Sequence, residues 1–241
     1  MVISQFLEEK GVSIVAAVLA VVFVILSVLL GFAGGLMFIS GKVWGALSYW
    51  LMVACLGAIG AILQAVVLYQ WSAAINQNLK NTQQTFSYLK ERIEDPLRGE
   101  IGFFANRIEE LIIPTWPYWV YLAMYVIGLF TGWYAFLLNL LGFIFLALYI
   151  NNIFRSTSKV SDLKNKVYSY LKERKGAAIT GEVYRIPRRN IIVFIILSAI
   201  TASIYWLYIL VKLSSEINNY VKSDEKIRKE LEEAFETATQ G

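Results

Sequence analysis

The chain has 241 residues, of which 57% are hydrophobic and 17% are charged, and its formal net charge is +4. A soluble domain is about 45–50% apolar and about a quarter charged, so the composition excludes an ordinary soluble domain. The chain has no histidine and one cysteine, Cys55, which excludes internal disulfides, Cys/His metal sites and the usual general base near neutral pH. Cys55 lies in an apolar run, where we expect an inert thiol.

The first two apolar runs predict an antiparallel hairpin of membrane spans, over residues ~12–39 and ~43–70, joined at Gly41 and Lys42. At 1.5 Å per residue the first run is about 42 Å long, more than the hydrocarbon core of roughly 30 Å. Small residues cluster on one face of each run, which predicts close packing of the two backbones or, alternatively, a homodimer contact. This candidate helix-packing face consists of Ser27, Gly31, Gly35, Ala54, Gly57, Ala58, Ala61 and Ala65.

The second run continues into a polar helix over residues 72–95 that contains no Gly or Pro before Pro96. Its apolar residues step by four and three, which is the spacing of a coiled-coil seam. Because an exposed apolar stripe needs burial, we interpret this seam as a candidate partner-binding surface. Its first members are Ile75, Leu79, Phe86, Leu89 and Ile93.

Residues 96–175 predict a second unit of similar design. A short amphipathic helix after Pro96 is predicted to lie in the membrane interface, and packing against the polar helices is the alternative. The uncharged residues 116–154 are too long for one span, so we expect limbs at ~116–131 and ~133–154 with a turn near Thr131 and Gly132. A polar helix over residues 155–175 follows, and its seam residues are Val160, Leu163, Val167 and Leu171.

Residues 176–241 predict a loop, an apolar segment at ~190–211 and an amphipathic C-terminal helix. The seam of that helix includes Ile217, Ile227 and Leu231, and Asp224 interrupts it. The apolar segment has two interpretations: a single span, or a half-inserted hairpin that turns near Thr201 and returns the tail beside the other polar helices. Its length of about 21 residues favours the single span, whereas the internal repeat described next favours the hairpin; we expect the single span.

An internal repeat is indicated by the string Ser-Tyr-Leu-Lys-Glu-Arg, which occurs at residues 87–92 and 169–174. The pair Ile-Asn also recurs where each apolar run gives way to a polar helix, at Ile75-Asn76, Ile150-Asn151 and Ile217-Asn218. We interpret residues 1–95, 96–175 and 176–241 as three units. Coincidence is the alternative, because Lys and Glu are common in any exposed helix.

Positive charge is concentrated between Arg155 and Arg189, with ten Lys/Arg against three Asp/Glu. A basic stretch beside a membrane is typical of the cytoplasmic side and of contact with anionic lipid. We therefore expect a multi-pass protein of the cell membrane whose hydrophilic helices are mainly cytoplasmic. The sequence contains no nucleic-acid-binding motif, and we expect no nucleic-acid partner.

The stretch from Leu197 to Asn218 contains Leu-Ser-Ala-Ile-Thr-Ala-Ser-Ile-Tyr-Trp-Leu-Tyr, followed by Lys212 and Glu216-Ile217-Asn218. It resembles a family of small prokaryotic membrane domains of unknown function with the pattern L-S-x-x-T-x-G-I-Y-x-x-Y-W. Ser203 stands where that pattern has glycine, and Ile209 where it has an aromatic residue. The resemblance implies a prokaryotic membrane domain and supplies neither an activity nor site residues.

The apolar runs contain no Asp, Glu, Lys, Arg or His, which argues against a proton relay or a coupled transporter. No motif indicates a catalytic residue, a cofactor or a metal site. We therefore predict an all-α polytopic membrane protein with about five transmembrane segments, acting as a non-catalytic scaffold or accessory subunit that binds a protein partner or itself through the seams. The alternative is a passive channel or transporter component for water or a small neutral solute, lined by Asn139 or Gln64.

Overall fold

A computed structural model describes residues 9–91, 97–128, 131, 135–175 and 179–240 of the chain. Within these ranges all regular secondary structure is helical, which confirms the predicted all-α class. The helices are α1 (Ile14–Ile39), α2 (Val43–Lys90), α3 (Leu97–Arg107) with a 3₁₀ turn (Ile108–Leu111), α4 (Trp116–Gly128), α5 (Ala135–Lys175), α6 (Ile191–Ile200) and α7 (Ile204–Gln240).

Four helical stretches of the described chain are long and apolar enough to span a membrane, rather than the predicted five. The apolar helix α6 is shorter, with 10 residues. This pattern fits an integral membrane protein. The four stretches are Ile14–Ile39, Val43–Lys90, Arg98–Gly128 and Leu137–Glu173.

Helices α1 and α2 form a tightly packed hairpin. Ser13 begins α1 by accepting a hydrogen bond from the backbone N–H of Ala16 at 3.1 Å. The turn uses Gly41 at φ +79°, a conformation that glycine adopts without steric cost. A Cβ atom placed on Gly60 would lie 3.1 Å from Val24 Cγ2, so the two helices approach closely at this glycine.

Three long helices extend from the apolar hairpins into one bundle of polar helices. Tyr149 Oη donates to the Leu68 carbonyl at 2.6 Å, and further along Lys164 Nζ donates to Asn78 Oδ1 at 2.7 Å, so α2 and α5 run parallel. Helix α7 is also parallel to α2, because contacts to Ser214 and Asp224 follow in the same order. The parts of α2 from Trp71, of α5 from Tyr149 and of α7 from Trp206 are called the three-helix bundle below.

The amphipathic helix α3 packs against the polar half of α2, which is the second of the two placements expected from the sequence. Gln83 Nε2 donates to the Ala105 carbonyl at 2.9 Å, and Lys166 of α5 pairs with Glu100 at 2.7 Å. Ile101 is buried in this contact, with no exposed surface. The short helix therefore belongs to the side of the bundle.

The segment from Ile191 to Val211 is not the single helix that its length predicted. Helix α6 ends at Ile200, and α7 begins at Ile204 after a turn in which Ala202 and Ser203 have φ of 46° and 73°. Backbone N–H groups of Ala202 and Ser203 donate to the carbonyls of Ala199 and Ser198, which is a Schellman motif with Ala202 at the position that glycine usually occupies. The hairpin turning near Thr201 is therefore the correct alternative, and it places the tail beside α2 and α5.

The second hairpin is formed by α4 and α5. Helix α4 ends at Gly128, three residues before the predicted turn at Thr131, and the other predicted turn residue, Gly132, lies outside the described ranges. A Cβ atom on Gly142 would lie 3.4 Å from Tyr121 Cδ2, so α4 and α5 pack closely near the middle of the hairpin.

Candidate functional site

Each helix of the three-helix bundle contributes one polar residue to a buried layer at the same height. Lys164 Nζ of α5 lies 2.7 Å from Asn78 Oδ1 of α2 and 2.8 Å from Asp224 Oδ2 of α7. Asn78 Nδ2 also donates to Asp224 Oδ2 at 2.8 Å, so the three side chains form a closed triangle. This triangle, together with Glu9 and Arg228, is called the buried polar layer.

The layer includes the segment that precedes α1. Glu9 Oε1 accepts from Asn78 Nδ2 at 3.0 Å and pairs with Arg228, whose Nη2 also lies 3.2 Å from Asp224 Oδ2. Two carboxylates thus face two cations, and the four charged side chains are 0–2% exposed. Buried charges are tolerated when they are paired and hydrogen-bonded in this way.

Two tyrosines complete the surroundings of Asp224. Tyr168 Oη donates to Asp224 Oδ1 at 3.1 Å, and Lys164 Nζ lies 3.4 Å from Tyr220 Oη. Burial, with the nearby Asp224 charge, raises the pKa of both tyrosines well above 10. Burial lowers the pKa of Lys164, although Asp224 opposes the shift, and burial lowers the pKa of Arg228 to about 10.

The buried polar layer is closed to solvent and to any substrate. Lys164 and Asp224 have fully buried side chains, and their polar atoms are occupied by one another and by Asn78, Arg228 and Tyr168. A catalytic group must reach a reacting atom, which this layer does not allow.

The seam spacing did not predict Lys164 as a buried residue, because lysine side chains are almost never fully buried unless they are paired. The seam of α5 runs through Val160, Lys164, Val167 and Leu171, all buried, whereas the predicted Leu163 is only partly buried beside it. Asp224 occupies the matching seam of α7. The available signal was the interruption of that seam by one acid, since a buried acid requires a buried cation on a neighbouring helix.

The predicted seam residues are buried inside this chain and face one another. Leu163 is the partly buried exception, and Ile93 lies outside the described residues. A partner therefore does not have access to these side chains in this structure. The buried members are Ile75, Leu79, Phe86, Leu89, Val160, Val167, Leu171, Ile217, Ile227 and Leu231.

The predicted helix-packing face is divided between two environments. Ser27 is buried, and a Cβ atom on Gly31 would lie 3.7 Å from Val53, so these positions face the partner helix of the hairpin. Gly35 and Gly57 have no atom within 4 Å of an added Cβ, and Ala54 and Ala58 are exposed. Ala61 and Ala65 are half-buried. Cys55 is exposed on the same hairpin.

An aromatic core fills the space between the three apolar hairpins. Gln64 Oε1 accepts from Trp206 Nε1 at 3.0 Å and from Tyr121 Oη at 3.3 Å. The rings of Trp71 and Tyr149 stack on each other, and Trp71 and Tyr121 each contact the ring of Trp206 edge-on. All four aromatic side chains are at most 5% exposed. Gln64 is thus engaged in packing, while Asn139 is half-buried on α5.

Three asparagines make the same contact with three extended segments, each accepting from the N–H and donating to the C=O of one residue. The Asn218–Val12 pair has distances of 2.7 and 2.8 Å, the Asn76–Ile113 pair 2.7 and 3.1 Å, and the Asn165–Val183 pair 2.8 and 3.3 Å. Each segment leads into the first helix of an apolar hairpin. These contacts, called the asparagine bridges, tie each segment to a helix of the bundle.

The boundary between the apolar hairpins and the bundle carries several cations. Arg189 donates to both carboxylate oxygens of Glu216 at 2.6 and 2.7 Å, and this contact raises the pKa of Arg189. Arg155 and Arg188 are exposed nearby. Within the described ranges no group of three or more His, Cys, Asp or Glu side chains is arranged to hold a metal ion.

Comparison with known proteins found no matching family, no matching curated protein and no matching solved structure.

Proposed function

We propose that the chain is a non-catalytic integral membrane scaffold or accessory subunit whose three-helix bundle binds a partner protein or a second copy. The observation that carries this proposal is the continuity of α2, α5 and α7 from the apolar hairpins into a bundle whose buried charged side chains pair with one another. Such a bundle is a preformed platform rather than a reaction site.

The burial of the seams changes which surface of the bundle would bind. Among the large exposed apolar side chains of the described residues, only Phe103 of α3 and Tyr208, near the start of the α7 part, lie on the bundle and its flanking helix; the others belong to the hairpins and the segments next to them. A partner would therefore meet the outer charged faces, where Lys80, Lys172 and Lys222 are exposed. Charged contacts of this kind determine partner choice and association rate more than affinity.

We infer that the bundle is cytoplasmic and that the hairpins cross the cell membrane. The support is the excess of Lys and Arg between Arg155 and Arg189, which is typical of the cytoplasmic side. Exposed Arg155 and Arg188 at the edge of the apolar hairpins would meet anionic lipid.

We also infer that the chain consists of three repeated units. The cyclic order of the asparagine bridges supports this, because the polar helix of the first unit holds the segment of the second, the second holds that of the third, and the third holds that of the first. Asn76 and Asn218 belong to the recurring Ile-Asn pair, whereas the second unit uses Asn165 in place of Asn151. The parallel packing of α2 and α5 adds support. Contacting residues in these helices are 81 and 86 positions apart, and the two copies of the repeated hexapeptide are 82 apart.

The test is site-specific photo-crosslinking in native membranes, with the crosslinker at Lys80, Lys172 or Lys222. Trp44, which is 85% exposed at the far end of the first hairpin, is the control position. We expect one defined protein adduct from the bundle positions, absent from the control and reduced by a Lys→Glu change at a neighbouring bundle position. A monomer without adducts at all three positions would contradict the proposal.

Liposome flux separates the scaffold from the passive channel. The engagement of Gln64 by Trp206 and Tyr121 leaves that alternative without its best lining residue. We expect water and neutral-solute flux equal to that of empty vesicles, with Asn139→Leu unchanged. Flux above that background, lost in Asn139→Leu, would replace the scaffold with a channel.

A further inference from the structure

An apolar groove of about 440 Å³ lies between α1 and α7 on the surface of the hairpins. Helix α7 contributes one continuous face, with residues four and three apart, and α1 contributes two residues one turn apart. The lining includes Val21, Ile25, Ile204, Tyr208, Val211 and Lys212.

The groove has one charged end and one apolar end. Lys212 lies at its mouth, near the Arg189–Glu216 ion pair, and Ile204 lies at the turn of the α6–α7 hairpin. The distance along α7 from Lys212 to Ile204 is about 12 Å at helical rise, which fits within one leaflet of a core about 30 Å thick. The groove therefore runs from head-group depth towards the middle of the membrane.

The charge of Lys212 is largely left for an external anion. Its nearest acid within the described residues is Glu216, at 4.0 Å, and both oxygens of Glu216 are already engaged by Arg189 at 2.6 and 2.7 Å. Lys212 is about half exposed, so its ammonium group can reach a phosphate at the membrane surface. Ser215, one turn further along α7, also lines the mouth of the groove.

We propose that this groove is a binding site for one anionic phospholipid, with its phosphate at Lys212 and an acyl chain along Ile204, Tyr208, Val21 and Ile25. The assignment rests on two matches: Lys212 supplies one cation for the phosphate, and the groove supplies an apolar surface for the acyl chain. The proposal depends on the hairpins lying in a bilayer and is independent of the scaffold role.

The test is native mass spectrometry of the full chain after reconstitution with phosphatidylglycerol or phosphatidylcholine of identical acyl chains. We expect one retained lipid, with phosphatidylglycerol preferred about fivefold, since a cation near the surface contributes by that factor to anionic-lipid binding. Lys212→Gln should abolish the preference. Lys222→Gln, ten residues further along α7 in the bundle, is the matched control and should leave it unchanged.

A second variant tests the chain-binding part. Ile25→Trp fills the groove from α1 at a position that is 46% exposed, and it should reduce retention of both lipids several-fold. Leu29→Trp, one turn further along α1 and 61% exposed, should not. Equal retention of both lipids in all variants, or crosslinks from Tyr208 to a second copy of the chain in place of lipid, would overturn the proposal. Melting curves of each variant identify loss of fold.

Discussion

At the scale of single residues, Asp224 has the most partners within the buried polar layer. Its carboxylate contacts Lys164, Arg228, Asn78 and Tyr168. Removing one partner of a buried ion pair leaves the other charge uncompensated, which costs about 3–5 kcal/mol. The buried polar layer therefore supports the folded state only while each of its charged side chains keeps a partner of opposite charge.

We predict that Asp224→Asn lowers the free energy of unfolding by about 3–5 kcal/mol, because Lys164 would lose its carboxylate partner and Arg228 would keep only Glu9. Unfolding in mixed micelles, followed by circular dichroism, measures this loss. The control is Asp162→Asn, which removes an exposed pair with Arg185 and should cost less than about 1 kcal/mol. Equal, small effects of the two substitutions would show that the layer is not buried in solution.

The turn between α6 and α7 places two non-glycine residues at positive φ. We predict that Ala202→Gly stabilises the protein by about 1 kcal/mol, because φ of 46° is strained for alanine and not for glycine. Ala199→Gly, within α6 three residues earlier, should instead destabilise by about 1 kcal/mol. Thermal melting of both variants checks the opposite signs, and a loss of stability in Ala202→Gly would contradict the turn.

At the scale of elements, the asparagine bridges hold the segments that enter the hairpins. We predict that Asn218→Ala lowers stability by about 1–3 kcal/mol, because two hydrogen bonds to Val12 are lost. Hydrogen exchange at the Val12 amide should become markedly faster. Asn219→Ala alters the adjacent, exposed asparagine and should leave that amide protected. Unchanged exchange in Asn218→Ala would contradict the bridge.

The long helices could be predicted from the sequence because apolar runs and seam spacing are patterns of residues that are close together in the chain. Helices α1 and α2 and the polar part of α5 follow from that pattern. The break at Ala202 was the less favoured of two interpretations of the sequence, because no glycine or proline occurs between Ile191 and Val211. The contacts of α7 with α2 decide for the hairpin. Lys164 was missed for a related reason: its partner is 60 residues away on another helix.

At the scale of the whole molecule, the structure places the polar halves of α2, α5 and α7 together, so their exposed residues share one side of the apolar hairpins. Cysteine labelling in a Cys55→Ser background tests this arrangement of the helices. Lys80→Cys and Lys222→Cys should react from the same side of the membrane, and Lys42→Cys, at the turn of the first hairpin, from the other. Labelling of Lys222→Cys together with Lys42→Cys would mean that the last segment crosses fully.

The bridge between Asn218 and Val12 joins residues 206 positions apart, and Glu9 pairs with Arg228 across 219 positions. Ribosomes add about 5–20 residues per second, so roughly 10–40 s pass between the synthesis of Glu9 and Val12 and the synthesis of their partners on α7. During that interval Glu9 is a charge without its cation, and α1 and α2 are in place without the helix that closes the bundle. The three-helix bundle is therefore completed only after α7 has been synthesised, and a chain truncated before Asn218 lacks the contact that closes it.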